Sequence, residues 1–149
     1  HEGEFDAVVL AVAGLERLGF HDEINERLDD NIFIPAVGQG ALVIESRNDR
    51  EDLLEKFKKI NDDITYRCVM AERQFMCALE GGCQVPMGAY AVIEEGQMKI
   101  HGFVGAVDGS KILRAEIVGA SDDYMKIGQA LAEKLLTIGA RELLDEVRN

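Results

Sequence analysis

The sequence has few basic residues, few cysteines and no long apolar run, and each shortage excludes a class of function. Lys and Arg number 16 against 28 Asp and Glu, which gives a formal net charge of −12. A surface of that sign repels phosphate backbones and anionic lipids, so nucleic-acid and membrane-surface binding are disfavoured. The longest apolar run, residues 7–13, is far too short to cross a bilayer. With 47% hydrophobic residues, the composition instead indicates a soluble globular chain.

The cysteine pattern bears on the cellular compartment. The three cysteines are Cys68, Cys77 and Cys83, and no two of them form a CxxC pair. An odd number without that spacing argues against a disulfide framework or a structural zinc site and for a reducing compartment. No basic segment followed by an apolar stretch opens the sequence, so a cleaved signal peptide is not expected. We therefore expect a cytoplasmic protein.

Common catalytic signatures are missing as well. The chain has no GxxxxGK or GxGxxG loop, no HExxH and no GxSxG. The histidines His1, His21 and His101 share no spacing typical of a metal site. We expect no bound metal.

Residues 1–60 contain two stretches that are typical of buried parallel strands. Residues 6–11 and 41–45 are almost continuously apolar and rich in β-branched side chains. A short helix stopped by Gly19 is expected after the first, and a helix near residues 50–60 after the second. Two parallel strands do not make a complete sheet, so this part is predicted to belong to a larger α/β body.

Residues 63–149, by contrast, have the pattern of a complete small α+β domain. Periodic apolar residues indicate helices at both ends, and Asp-Gly between two alternating segments indicates a hairpin. The first predicted element is a helix at 65–79, preceded by Asn61, Asp62 and Asp63 as a good helix start. Three antiparallel strands follow at 88–94, 98–106 and 111–118, and then two last helices, one from Ser121 as N-cap to Gly139 and one at 140–147. A three-stranded sheet covered by helices on one face is therefore expected.

Cys83 is the first candidate site residue. It follows Gly81 and Gly82 and precedes a predicted strand, so its thiol is expected on an accessible loop. A thiolate in that position could attack a carbon electrophile. On context alone, an ordinary small residue in a turn is the more frequent explanation. The other two cysteines share one predicted helix, with Cys68 expected in the core and Cys77 partly buried.

Arg17 is the second candidate. Residues 1–30 contain nine acids and only two bases, and Arg17 follows Gly14 at a predicted strand-to-helix turn. A guanidinium there could clamp a carboxylate bidentately. A surface ion pair with Glu16 or a neighbouring acid explains the residue equally well.

Three segments together carry a family resemblance. They are residues 6–19 (DAVVLAVAGLERLG), 35–45 (PAVGQGALVIE) and 79–86 (LEGGCQVP). In these segments the chain resembles the porphobilinogen deaminases, also called hydroxymethylbilane synthases. The similarity continues through residues 104–110 and 139–147, and so covers nearly the whole chain.

The resemblance implies a fold and a division into domains. Members of that family are roughly twice as long, with two periplasmic-binding-protein-like domains followed by a small α+β domain. The chain is similar to their C-terminal half only. Residues 1–40 would then be the C-terminal part of domain 2, residues 41–61 a return segment belonging to domain 1, and residues 62–149 the cofactor-anchoring domain 3.

The resemblance also implies a chemistry. The family joins four porphobilinogen molecules with release of ammonia, and hydrolysis then frees the linear tetrapyrrole as hydroxymethylbilane. The primer is a dipyrromethane cofactor held by a thioether to the cysteine of the LEGGC motif, here Cys83. The other cofactor-binding positions that the resemblance implies are Arg17, Gly14, Ala11, Gln39 and Gly40. The catalytic aspartate is expected in domain 1, so no catalytic residue is assigned in this half, and the isolated chain is expected to be inactive without its N-terminal half.

Two other interpretations remain open at this point. Residues 62–149 could form a stand-alone α+β binding module without catalysis, although such a module would have no use for Arg17 and the PAVGQG loop. The chain could also dimerise through the unpaired edges of the strands at 6–11 and 41–45.

Overall fold

The helices and strands of the chain fall into two groups, in a computed structural model that describes residues 3, 5–79 and 85–148. Helices α1 and α2 lie in the first sixty residues, and the remaining elements lie in the C-terminal domain. In chain order they are α1 (Val12–Arg17), α2 (Glu51–Lys58), α3 (Asp63–Ala78), β1 (Met87–Glu94), β2 (Gln97–Gly105), β3 (Ile112–Ala120), α4 (Tyr124–Leu135) and α5 (Arg141–Arg148). No helix in the described part of the chain combines the length and apolar character that a membrane crossing requires.

The three strands form an antiparallel sheet in the order β1-β2-β3, as predicted. The first hairpin closes through Glu95 and Gly96, whose φ angles of 49° and 77° are both left-handed. Left-handed geometry at both central residues matches the twist of the strands that such a turn joins. The second connection contains Gly109, with φ 73°, and Ala106 accepts a backbone hydrogen bond from it. Both turns lie where the sequence predicts them.

Helices α3 and α4 cover one face of the sheet and enclose the core. The strand register places Ala89, Ala91, Ile100 and Val104 on that face, where all four are buried. The helical residues buried against them include Cys68, Ala71, Phe75, Ile127, Leu131 and Leu135. Helix α3 begins where the sequence predicts, because the Asp62 carboxylate accepts a hydrogen bond from the Thr65 amide at 2.7 Å. The predicted three-stranded α+β domain is confirmed.

The start and end of α4 differ in how well they match expectation. Ser121 is not the N-cap, because it is the buried first residue of a one-turn 3₁₀ helix, Ser121–Asp123, that precedes the α-helix. The backbone leaves β3 by this tight turn, which moves the helix start to Tyr124. Gly139 does interrupt the helix, as predicted, since its φ of 108° is accessible mainly to glycine.

Residues 5–60 form helices but no strands. The helices α1 and α2 match the predicted ones, whereas residues 6–11 and 41–45 have no regular secondary structure, so the prediction of two strands is wrong for this chain. Their side chains are exposed, up to 88% at Val43. The reason is physical: a buried parallel strand needs neighbours on both edges and cover on both faces, and the described chain supplies neither. The predicted periplasmic-binding-protein-like part is therefore not confirmed.

The second face of the sheet is crossed by residues 29–38. Ile34 is buried there, and the Arg114 guanidinium donates hydrogen bonds to the backbone carbonyls of Asn31 and Ile32. Nε2 of His101 lies 3.1 Å from the Asp30 carbonyl oxygen. Gly88 permits the crossing, because a Cβ atom at that position would lie 2.4 Å from the Pro35 carbonyl oxygen. Residues 35–40 therefore include the end of this crossing, where Gly38 reaches Glu72 on α3.

Candidate functional site

Residues 35–40, called here the PAVGQG loop, form a tight turn. Gly38 and Gly40 have φ angles of 74° and 85°, so both need the left-handed conformation that glycine adopts without strain. The backbone N–H of Gln39 donates a hydrogen bond to the Ala36 carbonyl, and the backbone N–H of Ala41 donates one to the Gly38 carbonyl. The side chain of Gln39 is exposed at the tip. The loop therefore presents an amide side chain and glycine backbone on an accessible surface.

Glu72, on α3, holds this loop against the C-terminal domain. One carboxylate oxygen accepts a hydrogen bond from the Gly38 amide at 2.7 Å, and the other accepts one from the Ala91 amide at 2.9 Å. Only 5% of the residue is exposed. Burial raises the pKa of the Glu72 carboxyl above its ordinary value, although the two amide hydrogen bonds act in the opposite direction.

Sequence reasoning did not identify Glu72 as a site residue. It lies next to Ala71 on the apolar side of the helix, where the periodicity alone places a core residue. The available signal was chemical: a glutamate on an otherwise apolar helix face needs hydrogen-bond donors when it is buried. The donors come from positions 34 residues earlier and 19 residues later in the sequence, which no local pattern reveals.

Ala11, Gly14 and Arg17 lie along one side of α1, because they are spaced by three residues. Ala11 precedes the first turn, and a Cβ atom on Gly14 would meet no atom within 4 Å. Arg17 is exposed in the last turn, and within the described chain it makes no ion pair. Glu16 pairs instead with Arg27, an ion pair that lowers the pKa of the Glu16 carboxyl. The structure therefore does not support a surface ion pair between Arg17 and Glu16.

The predicted site residues fall in two separate groups. The residues of α1 form one, and Gln39 with Gly40 forms the other. Within the described chain, no hydrogen bond or ion pair joins the two groups. Cys83 lies outside the described residues, between Leu79 at the end of α3 and Met87 at the start of β1.

The other two cysteines have contrasting environments. Cys68 is buried, and its burial raises the pKa of the thiol to about 11. This agrees with the prediction that it is a core residue. Cys77 is exposed on α3, rather than partly buried as the sequence suggested, and both thiols are free. Among the described residues, no group of three or more His, Cys, Asp or Glu side chains is placed to hold a metal ion.

Comparison with known proteins gives a consistent result over both parts of the chain. Residues 66–137 match the family model described as porphobilinogen deaminase, C-terminal domain. Residues 1–55 match the model described as porphobilinogen deaminase, dipyromethane cofactor binding domain.

Individual relatives extend this match to nearly the whole chain. The porphobilinogen deaminase of Halalkalibacterium halodurans is 46% identical over 149 residues, which is 99% of this chain and 47% of the relative. Those of Bacillus thuringiensis subsp. konkukian and of a Bacillus cereus strain are each 48% identical over 145 residues, 96% of this chain and 46% of the relative. The chain thus spans about half the length of the curated relatives it matches.

Proposed function

The chain belongs to the porphobilinogen deaminase family, and on this premise we propose that it is the C-terminal portion of such an enzyme. The whole enzyme is then a transferase of tetrapyrrole biosynthesis. It would join four porphobilinogen molecules, release ammonia at each addition and yield hydroxymethylbilane. The observation that carries the proposal is the match to both family domains within one chain, at 46% identity to a relative named for this activity.

The same observation weighs against a stand-alone binding module. Such a module would need only residues 62–149, yet residues 1–55 match a separate domain description of the same family. The exposed apolar residues near positions 8–10 and 42–44 also favour a part of a larger body, because isolated domains rarely leave such stretches uncovered. We accordingly assign residues 1–40 to domain 2, 41–61 to a return segment of domain 1 and 62–149 to domain 3.

The cofactor would be a dipyrromethane joined to Cys83. When bound, this group supplies the primer to which porphobilinogen units are added. A thiolate suits the anchoring role, because a soft sulfur nucleophile forms a thioether that is stable to the later additions. Support for Cys83 rests on the LEGGC sequence. The family model named for this cofactor matches residues 1–55, so it supports the cofactor itself and not the point of attachment.

The described residues fit a ligand that carries carboxylates. Each pyrrole of the cofactor has an acetate and a propionate side chain, and Arg17 offers an exposed guanidinium with no ion-pair partner in the described chain. A guanidinium can bind a carboxylate through two parallel hydrogen bonds. Ala11 and Gly14 leave open space beside it, and Gln39 and Gly40 offer amide donors from the PAVGQG loop.

This chain would anchor the cofactor and orient it, whereas proton transfer to the leaving ammonia would come from the remaining part of the enzyme. The chain alone should therefore be inactive. The free thiols of Cys68 and Cys77 agree with a reducing compartment, and we place the enzyme in the cytoplasm.

Reconstitution tests this function. The chain is expressed alone and together with the part of the Halalkalibacterium halodurans enzyme that it does not match, and each preparation is assayed for ammonia release from porphobilinogen. We expect activity from the pair and none from either part alone. A purified complex of the two parts that consumes no porphobilinogen would contradict the proposal.

A further inference from the structure

The Glu72 carboxylate is the only hydrogen-bonding link, within the described chain, between the PAVGQG loop and the C-terminal domain. The other hydrogen bonds of the loop, from Gln39 to Ala36 and from Ala41 to Gly38, are internal to the turn. Val37 adds an apolar contact at the edge of the core. An apolar contact is not directional, so the orientation of the loop tip depends on the hydrogen bond from Gly38.

The partner on the other side of Glu72 is equally specific. Strand β1 lies at the edge of the sheet, with β2 as its only neighbouring strand in the described chain. The Ala91 amide on this strand donates to Glu72 at 2.9 Å. One carboxylate therefore satisfies two backbone donors from different parts of the chain and fixes the distance between loop and sheet.

Helix α3 gives this arrangement a rigid support. Its residues Ala71 and Phe75 are completely buried on either side of Glu72, so the helix cannot rotate without disrupting the core. The helix ends at Ala78, and the chain continues within a few residues to the sequence that contains Cys83. The PAVGQG loop and the cofactor-carrying sequence are thus attached to one helix.

We propose that Glu72 is a positioning residue for the deaminase reaction, which acts by holding Gln39 and Gly40 in one place relative to helix α3. The inference rests on the proposed function, because Gln39 and Gly40 matter to the reaction only if they face cofactor or substrate. Glu72 itself is not a catalytic residue, since it is buried beneath the loop. Loss of the carboxylate would misplace the loop tip, and small misplacements of binding groups lower turnover.

Amide exchange in the unmodified full chain tests the anchoring. In the ¹⁵N-labelled protein, we expect the Gly38 and Ala91 amides to exchange slowly. In Glu72→Gln, only one of the two should stay protected, because the side-chain amide of Gln has a single acceptor atom. In Glu72→Asp, the side chain is one methylene shorter, and we expect at least one of the two backbone amides to lose its protection from exchange. The control is Glu94→Gln, the same change at an exposed position on β1, which should alter neither amide.

Kinetics in the reconstituted pair test the role in the reaction. We expect Glu72→Gln to lower kcat by about tenfold per folded enzyme. The fraction of folded protein should remain close to that of Glu94→Gln. A purely structural role predicts a smaller folded fraction with unchanged kcat, and that result would overturn the proposal. Unchanged protection of both amides in Glu72→Gln would overturn it as well. Inactivity of the unsubstituted pair would instead overturn the proposed function, and the two failures are therefore distinguishable.

Discussion

Cys68 and Cys77 lie on the same helix but differ in the chemistry that their environments allow. The pKa of the Cys68 thiol, about 11, leaves about one part in a thousand as thiolate at pH 8. Only 8% of the residue is exposed, so a reagent also has little access to the sulfur. Cys77 is exposed.

We expect iodoacetamide at pH 8 to alkylate Cys77 rapidly and Cys68 only after unfolding. Because the thiolate is the reacting form, burial and the raised pKa both slow the reaction at Cys68. Peptide mass spectrometry of the native and the urea-denatured chain measures both rates. Equal alkylation of the two residues in the native chain would show that α3 is not packed as described.

Arg17 lies among acids but pairs with none of them in the described chain, which frees its charge for a ligand. We expect Arg17→Ala to weaken porphobilinogen turnover by the reconstituted pair by about tenfold or more, because a bidentate pair with a carboxylate is lost. The control is Arg47→Ala, which removes an exposed arginine that is already paired with Asp49. Equal effects of the two substitutions would contradict a specific role for Arg17.

Glu72 should also leave a signature in the pH dependence of stability. Its pKa is raised in the folded state, so between the ordinary glutamate value and the raised one the folded chain binds more protons than the unfolded chain. Its contribution to the free energy of unfolding is therefore largest below the ordinary value and decreases as the pH rises through the raised pKa.

The difference in the free energy of unfolding between the unsubstituted chain and Glu72→Gln isolates the contribution of Glu72. Asp62 and the other acids with lowered pKa values contribute equally to both proteins, so their effects cancel. Urea unfolding between about pH 4 and about pH 8 measures it. We expect the free energy of unfolding of the unsubstituted chain to decrease relative to that of Glu72→Gln over this range. A constant difference would contradict a raised pKa.

At the level of elements, the passage of residues 29–38 over the sheet depends on Gly88. A Cβ atom at this position would overlap the Pro35 carbonyl oxygen, whereas one at Gly105 would meet its nearest atom at 3.6 Å. Both glycines lie on strands and neither has a positive φ. Alanine substitutions at Gly88 and Gly105 therefore form a matched test and control.

We expect Gly88→Ala to lower the free energy of unfolding by about 1–3 kcal/mol, since the crossing segment or the strand must shift. Gly105→Ala should stay within about 1 kcal/mol of the unsubstituted chain. Urea titration measures both values. If both alanine variants are equally stable, residues 29–38 do not lie on this face of the sheet.

The elements of the C-terminal domain were predictable because their signals are local. The Glu95-Gly96 and Asp108-Gly109 turns, the Asp62 cap and the interruption at Gly139 each depend on a few neighbouring residues. Ser121 misled because a serine before two aspartates looks like a cap even when the backbone turns tightly there.

Contacts between distant parts of the chain were not predictable. Residues 6–11 and 41–45 have the composition of strands, but pairing depends on neighbours that a local pattern cannot supply. For the same reason the sequence could not place Glu72 against Gly38 and Ala91. The candidate site was accordingly predictable as a set of residues, through the family resemblance, and not as an arrangement.

At the level of the whole molecule, the chain exposes apolar side chains that a complete protein would cover. They include Val8, Val9, Leu42 and Val43, each more than 60% exposed. Uncovered apolar segments with free backbone groups tend to associate with another chain. The relatives are about twice as long, so their additional length is the expected partner.

We expect the chain alone to self-associate at high concentration and to form a one-to-one complex when co-expressed with the unmatched part of the Halalkalibacterium halodurans enzyme. Sedimentation velocity distinguishes these states. A clean monomer at high concentration, with no binding to the added part, would mean that these apolar segments have no partner. The substitution Val43→Asp should weaken both associations, whereas Val107→Asp, at an exposed position between β2 and β3, should not.

The mass of the chain isolated from the co-expressed complex tests whether Cys83 carries the cofactor. We expect the chain to be heavier than its sequence by one dipyrromethane, with the added mass on the peptide that contains Cys83. The substitution Cys83→Ser should remove this mass, whereas Cys77→Ser should not. An unmodified Cys83 in a complex that contains both parts of the enzyme would contradict the assignment of Cys83 as the cofactor anchor.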